Sequence, residues 1–218
     1  MNEPYVFNYD LKKPVAAFNL PDALHEISGI SSIDSNQVAC IHDEDGIVFL
    51  YDLHEKRIST EFDILPEGDY EGIAFAGQTV FVLRSDGTLY RVENYQSSAR
   101  EIQEIKTGIP AKNNEGLCFD EKNGRLLIAC KSKLGVSENN KDLREIYAFG
   151  IQKQLLSPEP VFTFNLSEIK EFLGRGSDIP DNYKIQEDLK LKISDIAIHP
   201  ESGELYVLSA KDHTLLIF

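Results

Sequence analysis

The chain has 218 residues, of which 42% are hydrophobic and 27% are charged, an ordinary globular composition. Its 22 basic and 36 acidic residues give a formal net charge of −14. Such an acidic surface repels phosphate backbones and anionic lipids, which argues against a nucleic-acid-binding protein. No apolar run approaches the roughly 18 residues that a membrane-spanning helix needs.

Four segments of the chain share one pattern, in which an acidic or serine residue is followed by Gly or Asp and then by an apolar strand. These segments open near Glu26, Glu71, Glu115 and Ser194. The spacing of 44 residues between Glu71 and Glu115 is typical of a four-stranded propeller blade. Two insertions delay the fourth segment, a polar loop around 134–143 and a longer stretch of about 165–192.

A continuous apolar run follows each opening, as expected for a strand that is covered on both faces. The four runs are Val38–Ile41, Val80–Leu83, Leu126–Ala129 and Leu205–Leu208. Turn dipeptides that favour positive φ separate the strands, and we expect them at matching points of each repeat. They are Asp45-Gly46, Asp86-Gly87, Asn123-Gly124 and Ser202-Gly203.

The repeat predicts an all-β fold, a β-propeller with four-stranded blades that forms a single domain over residues 1–218. Four repeats are visible, and the circle is either complete or open. One short helix is predicted in the longer insertion, because Asn165 can cap it, Glu168 lies three residues on and Gly174 can end it. Pro14–Leu20 is predicted to be an outer strand donated from the N-terminus. Cys40, Cys118 and Cys130 lie in apolar runs without metal-ligand spacing, which indicates buried thiols.

The residues that carry the repeat also carry a family likeness. Glu26-Ile27-Ser28-Gly29-Ile30, Asp69-Tyr70-Glu71-Gly72-Ile73-Ala74, Asn114-Glu115-Gly116-Leu117 and Ser194-Asp195-Ile196-Ala197 resemble the SdiA-regulated (YjiK-like) family of bacterial β-propeller proteins. The version with Tyr9-Asp10-Leu11 and Leu83–Gly87 is similar to members from Bacteroidetes-type bacteria. The resemblance implies more than four blades, and it gives no established reaction.

The same resemblance implies an exported protein, in the periplasm or anchored to the outer membrane as a lipoprotein. The N-terminal Met1–Tyr5 has neither the basic region nor the apolar run of a signal peptide. We therefore expect that a leader, if the protein has one, is absent from this chain.

The first strands of propeller blades line the central channel, so the opening carboxylates are predicted to converge near the axis. Glu26, Glu71, Glu115 and Asp195 are the predicted metal ligands, and calcium is the predicted cofactor because Ca²⁺ takes six to eight oxygen ligands. The alternative interpretation is structural, since such carboxylates can accept backbone hydrogen bonds and join neighbouring blades.

Four further residues are predicted to bind a ligand. Asp43 and Glu44 belong to the densest polar cluster, His42–Gly46, which is either a solvated hairpin turn or part of the channel mouth. Arg84 and Lys131 follow apolar strands, where they either pair with Glu71 and Glu115 or bind an anionic ligand. No pair of histidines has metal-ligand spacing, and the glycine-rich Gly174–Asp178 is predicted to be an exposed loop rather than a phosphate site.

Two functions stay open on these residues. The first is a non-enzymatic propeller of the bacterial envelope that binds an unknown small molecule or protein at an acidic channel mouth. The second is a Ca-dependent hydrolase, similar to lactonases or phytases, which needs a metal ion with one open coordination position. The sequence has no convincing histidine base at a blade start, so binding is favoured. Unpaired strand edges would allow pairing between chains, and the oligomeric state stays open.

Overall fold

A computed structural model describes residues 9–10, 12–63, 65–131, 142–174 and 189–218 of the chain. These residues form four antiparallel sheets, which are successive blades of a β-propeller. The all-β prediction and the single inserted helix are confirmed. Most of the predicted polar loop around 134–143, most of the Gly174–Asp178 segment and the middle of the longer insertion lie outside the described residues.

Each blade begins at its inner strand and proceeds outward along the sheet. Blade 1 contains β1 (Ile27–Ser32), β2 (Gln37–His42), β3 (Ile47–Asp52) and β4 (Arg57–Asp63), and blade 2 contains β5 (Tyr70–Ala76), β6 (Thr79–Arg84), β7 (Thr88–Glu93) and β8 (Glu101–Lys106). The strand that precedes each opening therefore closes the previous blade. It does not begin a new repeat.

Blades 3 and 4 depart from this scheme at their outer edges. Blade 3 contains β9 (Asn114–Asp120), β10 (Arg125–Cys130) and β11 (Leu143–Gly150), and β11 pairs outward with both β12 (Leu155–Leu156) and β13 (Phe162–Asn165). Blade 4 contains β14 (Asp195–Ile198), β15 (Leu205–Ser209) and β16 (Thr214–Ile217). In the described part of the chain this blade has three strands.

Three hydrophobic clusters fill the spaces between consecutive blades. The inner strands β1, β5, β9 and β14 contact one another in that order. Ile41 and Val48 of blade 1 pack against Ile73 and Val82 of blade 2, and equivalent clusters join blade 2 to blade 3 and blade 3 to blade 4. The continuous apolar runs of the sequence are thus explained by blades that cover both faces of their middle strands.

The N-terminal segment covers the remaining face of blade 1 instead of completing a sheet. Phe18 and Leu24 pack on Cys40, Phe49 and Tyr51. Farther toward the N-terminus, the Tyr9 hydroxyl is hydrogen-bonded at 2.8 Å to His199, in the turn between β14 and β15 of blade 4. The prediction of an outer strand over 14–20 is wrong, because these residues pair with no strand. Pro14 has no backbone N–H to donate to a sheet, and Phe18 packs its side chain on the face of blade 1 instead.

The predicted turn glycines all have positive φ, but they do not occupy matching points of the repeat. Gly46 and Gly87 lie between the second and third strands of their blades, with φ of 63° and 84°. Gly124 and Gly203 lie between the first and second strands, with φ of 61° and 75°. The dipeptide identifies a turn, and it does not identify which turn of the blade it forms.

The helix α1 (Leu166–Gly174) begins where the sequence predicts. Asn165 accepts a hydrogen bond from the Ser167 N–H at 3.0 Å, and its side-chain amide donates to Glu168 at 3.2 Å, so Asn165 caps the helix start and Glu168 holds the side chain of the cap. No helix in the described residues is long and apolar enough to cross a membrane. The three cysteines are buried and unpaired, as predicted.

Candidate functional site at the start of the inner strands

Hydrogen bonds repeated from blade to blade position the openings of the inner strands. The residue after the second strand of one blade accepts a bond from the inner strand of the next: the Asp43 carbonyl accepts from the Tyr70 N–H at 2.7 Å, and the Ser85 carbonyl accepts from the Asn114 N–H at 3.0 Å. The Asn114 amide also donates to the Ser85 carbonyl at 2.9 Å. The loop after the second strand and the next opening are therefore held side by side.

This geometry brings Glu26, His42 and Asp43 together at the start of blade 1. His42 Nε2 lies 3.8 Å from Glu26 Oε2, and His42 Nδ1 lies 3.4 Å from Asp43 Oδ1. One ligand atom from each of the three residues falls within 4.8 Å of the others, and no other group of three such side chains does so in the described residues. We call these three residues the blade 1 cluster.

The hydrogen bonds of His42 leave one oxygen of the blade 1 cluster without a donor. The Nδ1 atom accepts from the N–H groups of Glu44 and Asp45 at 3.4 and 3.3 Å, which assigns the ring hydrogen of the neutral imidazole to Nε2, facing Glu26. Asp43 Oδ1 is buried and receives no hydrogen bond from any described residue. A buried oxygen in that state is costly unless another group satisfies it.

Glu71, the opening residue of blade 2, extends the negative charge of the blade 1 cluster. Partial burial raises the pKa of its carboxyl above the usual value, and the neighbouring charges of Asp69 and Asp43 raise it further, while Lys131 opposes the shift. Asp69 itself accepts a hydrogen bond from the Ser85 hydroxyl. The three carboxylates from two adjacent blades thus interact, with Lys131 as a partial counter-charge.

Glu115, the opening residue of blade 3, already has a charged partner. It is only 4% exposed, and it forms an ion pair with the Lys131 ammonium group. This contact is the Lys131–Glu115 pair that the sequence offered as one alternative, it lies within blade 3, and it uses the predicted ligand-binding Lys131. The pairing compensates a buried carboxylate that would otherwise be strongly unfavourable.

Arg84 points away from Glu71 and pairs within its own hairpin. Its guanidinium donates to the Asp86 carboxylate at 2.7 and 3.1 Å and to the Tyr90 hydroxyl at 2.9 Å. These bonds hold the pKa of Asp86 well below its usual range and raise that of Arg84. The expected Arg84–Glu71 pair is therefore replaced by a local one, because Asp86 in the following turn is closer along the chain.

The other predicted site residues occupy different surroundings. Glu44 is exposed in the turn after β2, where its carbonyl accepts the Gly68 N–H at 2.8 Å. Asp195 lies at the start of β14, against a pocket on blade 4, and not in the blade 1 cluster. Of the four predicted metal ligands, only Glu26 belongs to that cluster, so the common axial set expected for all four is not what the structure brings together.

Sequence reasoning missed His42 and Asp69 as members of the site. His42 was one of five histidines without ligand spacing, yet its ligand neighbours come from the preceding strand and the adjacent residue. The usable signal was positional: His42 aligns with Arg84 at the end of a second strand, where each blade contacts the opening of the next.

Comparison with known proteins supports the fold and no narrower class. The chain matches no protein-family model and no curated protein, so its resemblance to the SdiA-regulated family stays a prediction. Its structural neighbours are β-propeller proteins. Three of them are glutaminyl cyclase of Myxococcus xanthus, a nidogen/laminin complex and an auxiliary nutrient-binding protein of Bacteroides thetaiotaomicron.

These neighbours are distant in sequence. The TM-scores are 0.58, 0.55 and 0.51 and the identities 12%, 16% and 16%, respectively. The matches cover 88%, 88% and 84% of this chain, but 71%, 60% and 35% of the neighbours. At such identities the likeness shows the propeller fold alone, and this chain spans about 60% of the nidogen/laminin structure that it matches.

Proposed function

We propose that this protein is a propeller-type binding module in which the blade 1 cluster holds a divalent metal ion. The observation that carries the proposal is the buried Asp43 Oδ1, which no described residue satisfies and which lies beside Glu26 and His42. A cation bonded to this oxygen would remove the cost of burying it and would offset the charge of nearby Glu71.

The donor set bears on which metal ion fits. Calcium was predicted from the opening carboxylates, and Asp43 and Glu26 offer oxygen ligands of the kind that it prefers. The imidazole of His42 is more typical of manganese or zinc sites. We propose a divalent cation in either case, and the experiment compares Ca²⁺ with Mn²⁺ and Zn²⁺. A location in the bacterial envelope is part of the proposal and is supported only by the family resemblance.

The test measures the melting temperature of chelator-treated protein as each cation is added. At a hundredfold excess over its Kd, a cation adds about 2.7 kcal/mol to the free energy of unfolding, which corresponds to a rise of roughly 5–10 °C for a chain of this size. Asp43→Asn should abolish the rise. Asp63→Asn, which changes an exposed carboxylate on β4 of the same blade, should retain it.

Two outcomes would reject the metal proposal. The first is the absence of any rise in melting temperature with all three cations. The second is a rise of equal size in the Asp43→Asn variant, which would place the bound ion elsewhere. A rise with Ca²⁺ alone would support the carboxylate set, and a rise with Mn²⁺ or Zn²⁺ that His42→Gln removes would support the imidazole.

A metal-dependent hydrolase is the second candidate, and the placement of His42 is the observation that favours it. Sequence reasoning favoured binding because it found no histidine near an inner-strand opening, whereas the structure places an imidazole 3.8 Å from Glu26. Hydrolysis of lactone, phosphomonoester and phytate substrates with the bound cation present tests this candidate. Turnover that is lost in His42→Gln but not in Asp63→Asn would support the hydrolase. The absence of turnover would reject it in favour of the binding module.

A further inference from the structure

A pocket of about 380 Å³ lies on blade 4, apart from the blade 1 cluster. Its walls are mainly apolar and aromatic, from Ala197, Tyr206, Leu208 and Leu215 of the sheet, with Tyr9 of the N-terminal segment at one side. Asp195 is the one carboxylate among the lining residues, and no Lys or Arg lines it. A pocket of this size suits a small organic molecule.

The pocket occupies the face of blade 4 that points away from blade 3. Residues directly opposite on paired strands share a face, so Asp195, Leu208 and Leu215 form one row across the sheet. The neighbouring row, Ile196, Val207 and Leu216, packs into the cluster with blade 3. Leu208 is 40% exposed. We call the face that carries the Asp195 row the open face of blade 4.

Asp195 stands at the repeat position that is glycine in the other three blades. Gly29, Gly72 and Gly116 each oppose the second strand of their blade at the position where Asp195 opposes Leu208. A Cβ atom at Gly29 would lie 2.8 Å from the Gly72 Cα, and one at Gly116 would lie 3.1 Å from the Ile196 nitrogen.

These distances show that glycine is needed wherever another blade stacks closely on an inner strand. Asp195 has a side chain at that point. The open face of blade 4 therefore lacks the glycine that blades 1 to 3 have at this contact. It presents a carboxylate to its occupant.

The surroundings of that carboxylate indicate which chemistry fits it. Its Oδ1 atom accepts the Ile196 N–H at 2.8 Å, and no described residue donates to Oδ2 or forms an ion pair with it. Burial raises the pKa of Asp195 to about 7, because no nearby cation stabilises the charged form. His199 does not donate to this carboxylate. Its Nδ1 atom accepts hydrogen bonds from the N–H groups of Glu201 and Ser202, and its Nε2 atom is hydrogen-bonded to the Tyr9 hydroxyl.

We propose that the pocket on the open face of blade 4 binds a small organic amine, with its ammonium group on Asp195 and its apolar body on Tyr206, Leu208 and Leu215. A cation supplies the counter-charge that Asp195 lacks, and the rings of Tyr206 and Tyr9 add favourable cation–π contacts. This site is independent of the proposed metal site on blade 1.

Isothermal titration with phenethylamine tests the proposal, with 2-phenylethanol as the neutral probe of the same shape. The titration is run at about pH 8, where a carboxyl with a pKa of about 7 is ionised. Phenethylamine should bind at least about tenfold more tightly than the alcohol, since a charged hydrogen bond contributes roughly 1.5–3 kcal/mol. Asp195→Asn should reduce the affinity for the amine to that for the alcohol.

Asp63→Asn removes the same charge from an exposed site in blade 1 and should leave the amine affinity unchanged. Leu208→Asn, on the same row as Asp195, should weaken both probes because it makes the apolar wall polar without adding a charge. The far-ultraviolet circular dichroism of each variant shows whether it has folded, and Asp195→Ser serves as a second uncharged variant if Asp195→Asn does not fold.

Three results would overturn the proposal. They are equal affinity for the amine and the alcohol, unchanged amine binding in Asp195→Asn, and no binding at millimolar concentrations. Light scattering adds a fourth: a stable dimer that phenethylamine fails to dissociate, and that Leu208→Asn does dissociate, would assign the open face to a second copy of the chain.

Discussion

The close approach of the inner strands makes Gly72→Ala a direct test of the blade geometry. A Cβ atom at Gly72 would lie 2.8 Å from the Leu117 Cβ and 3.0 Å from the Glu115 carbonyl oxygen of the next blade. Neither neighbour can move easily, because Leu117 is 3% exposed within the cluster between blades 2 and 3 and the Glu115 oxygen belongs to a strand backbone. We expect a loss of about 1–3 kcal/mol, the usual cost of overpacking.

For a chain of this size that loss lowers the melting temperature by roughly 2–12 °C. Gly150→Ala is the matched control, because Gly150 also lies in a strand and a Cβ there would meet only the Leu155 carbonyl oxygen at 3.6 Å. Neither glycine has a positive φ, so the pair compares packing and not backbone strain. Equal melting temperatures for the two variants, measured by calorimetry, would refute the stacking argument.

Three other predictions follow from single contacts. Lys131→Met should lower the free energy of unfolding by roughly 1–3 kcal/mol, because it leaves the buried Glu115 carboxylate unpaired, and adding Glu115→Gln should restore most of it in urea denaturation. Leu216→Pro should destabilise the protein more than Ile217→Pro in the same assay. The Leu205–Phe218 bonds place the Leu216 N–H toward β15 and the Ile217 N–H away from it, so only the first change removes a hydrogen bond between these strands. Asp195→Asn should be more stable than the unmodified chain above about pH 7 and should lose that advantage near pH 4. The folded pKa of Asp195 is raised to about 7, so its cost to folding begins where the unfolded chain ionises the carboxyl, at about pH 4, and is complete above the folded pKa. Thermal unfolding between these pH values measures the difference.

The repeat could be predicted from the sequence because it depends on local patterns. Inner-strand openings, apolar middle strands and turn glycines each leave a signal within a few residues, and the helix cap at Asn165 does so too. The packing of Pro14–Leu20 against blade 1 could not be predicted in this way. Its position depends on which blade face is left uncovered, which is a property of the assembled molecule.

The site was harder to predict than the fold for the same reason. Arg84 and Lys131 have similar sequence positions, yet Lys131 reaches the opening of its own blade while Arg84 pairs with Asp86. The choice depends on whether an acidic residue follows in the turn, as Asp86 does. His42 joined the site through contacts with Glu26 and Asp43 that no fixed ligand spacing describes.

One repeat position connects the packing of this propeller with its proposed binding chemistry. At Gly29, Gly72 and Gly116 the missing side chain lets the next strand approach, so the position contributes to stability through the contact that it permits. At Asp195 the same position carries a carboxylate and no blade covers it in the described residues. Replacing Asp195 with Gly separates the two roles: the change should not lower the melting temperature as Gly72→Ala does, and it should remove the preference of the pocket for an amine over an alcohol.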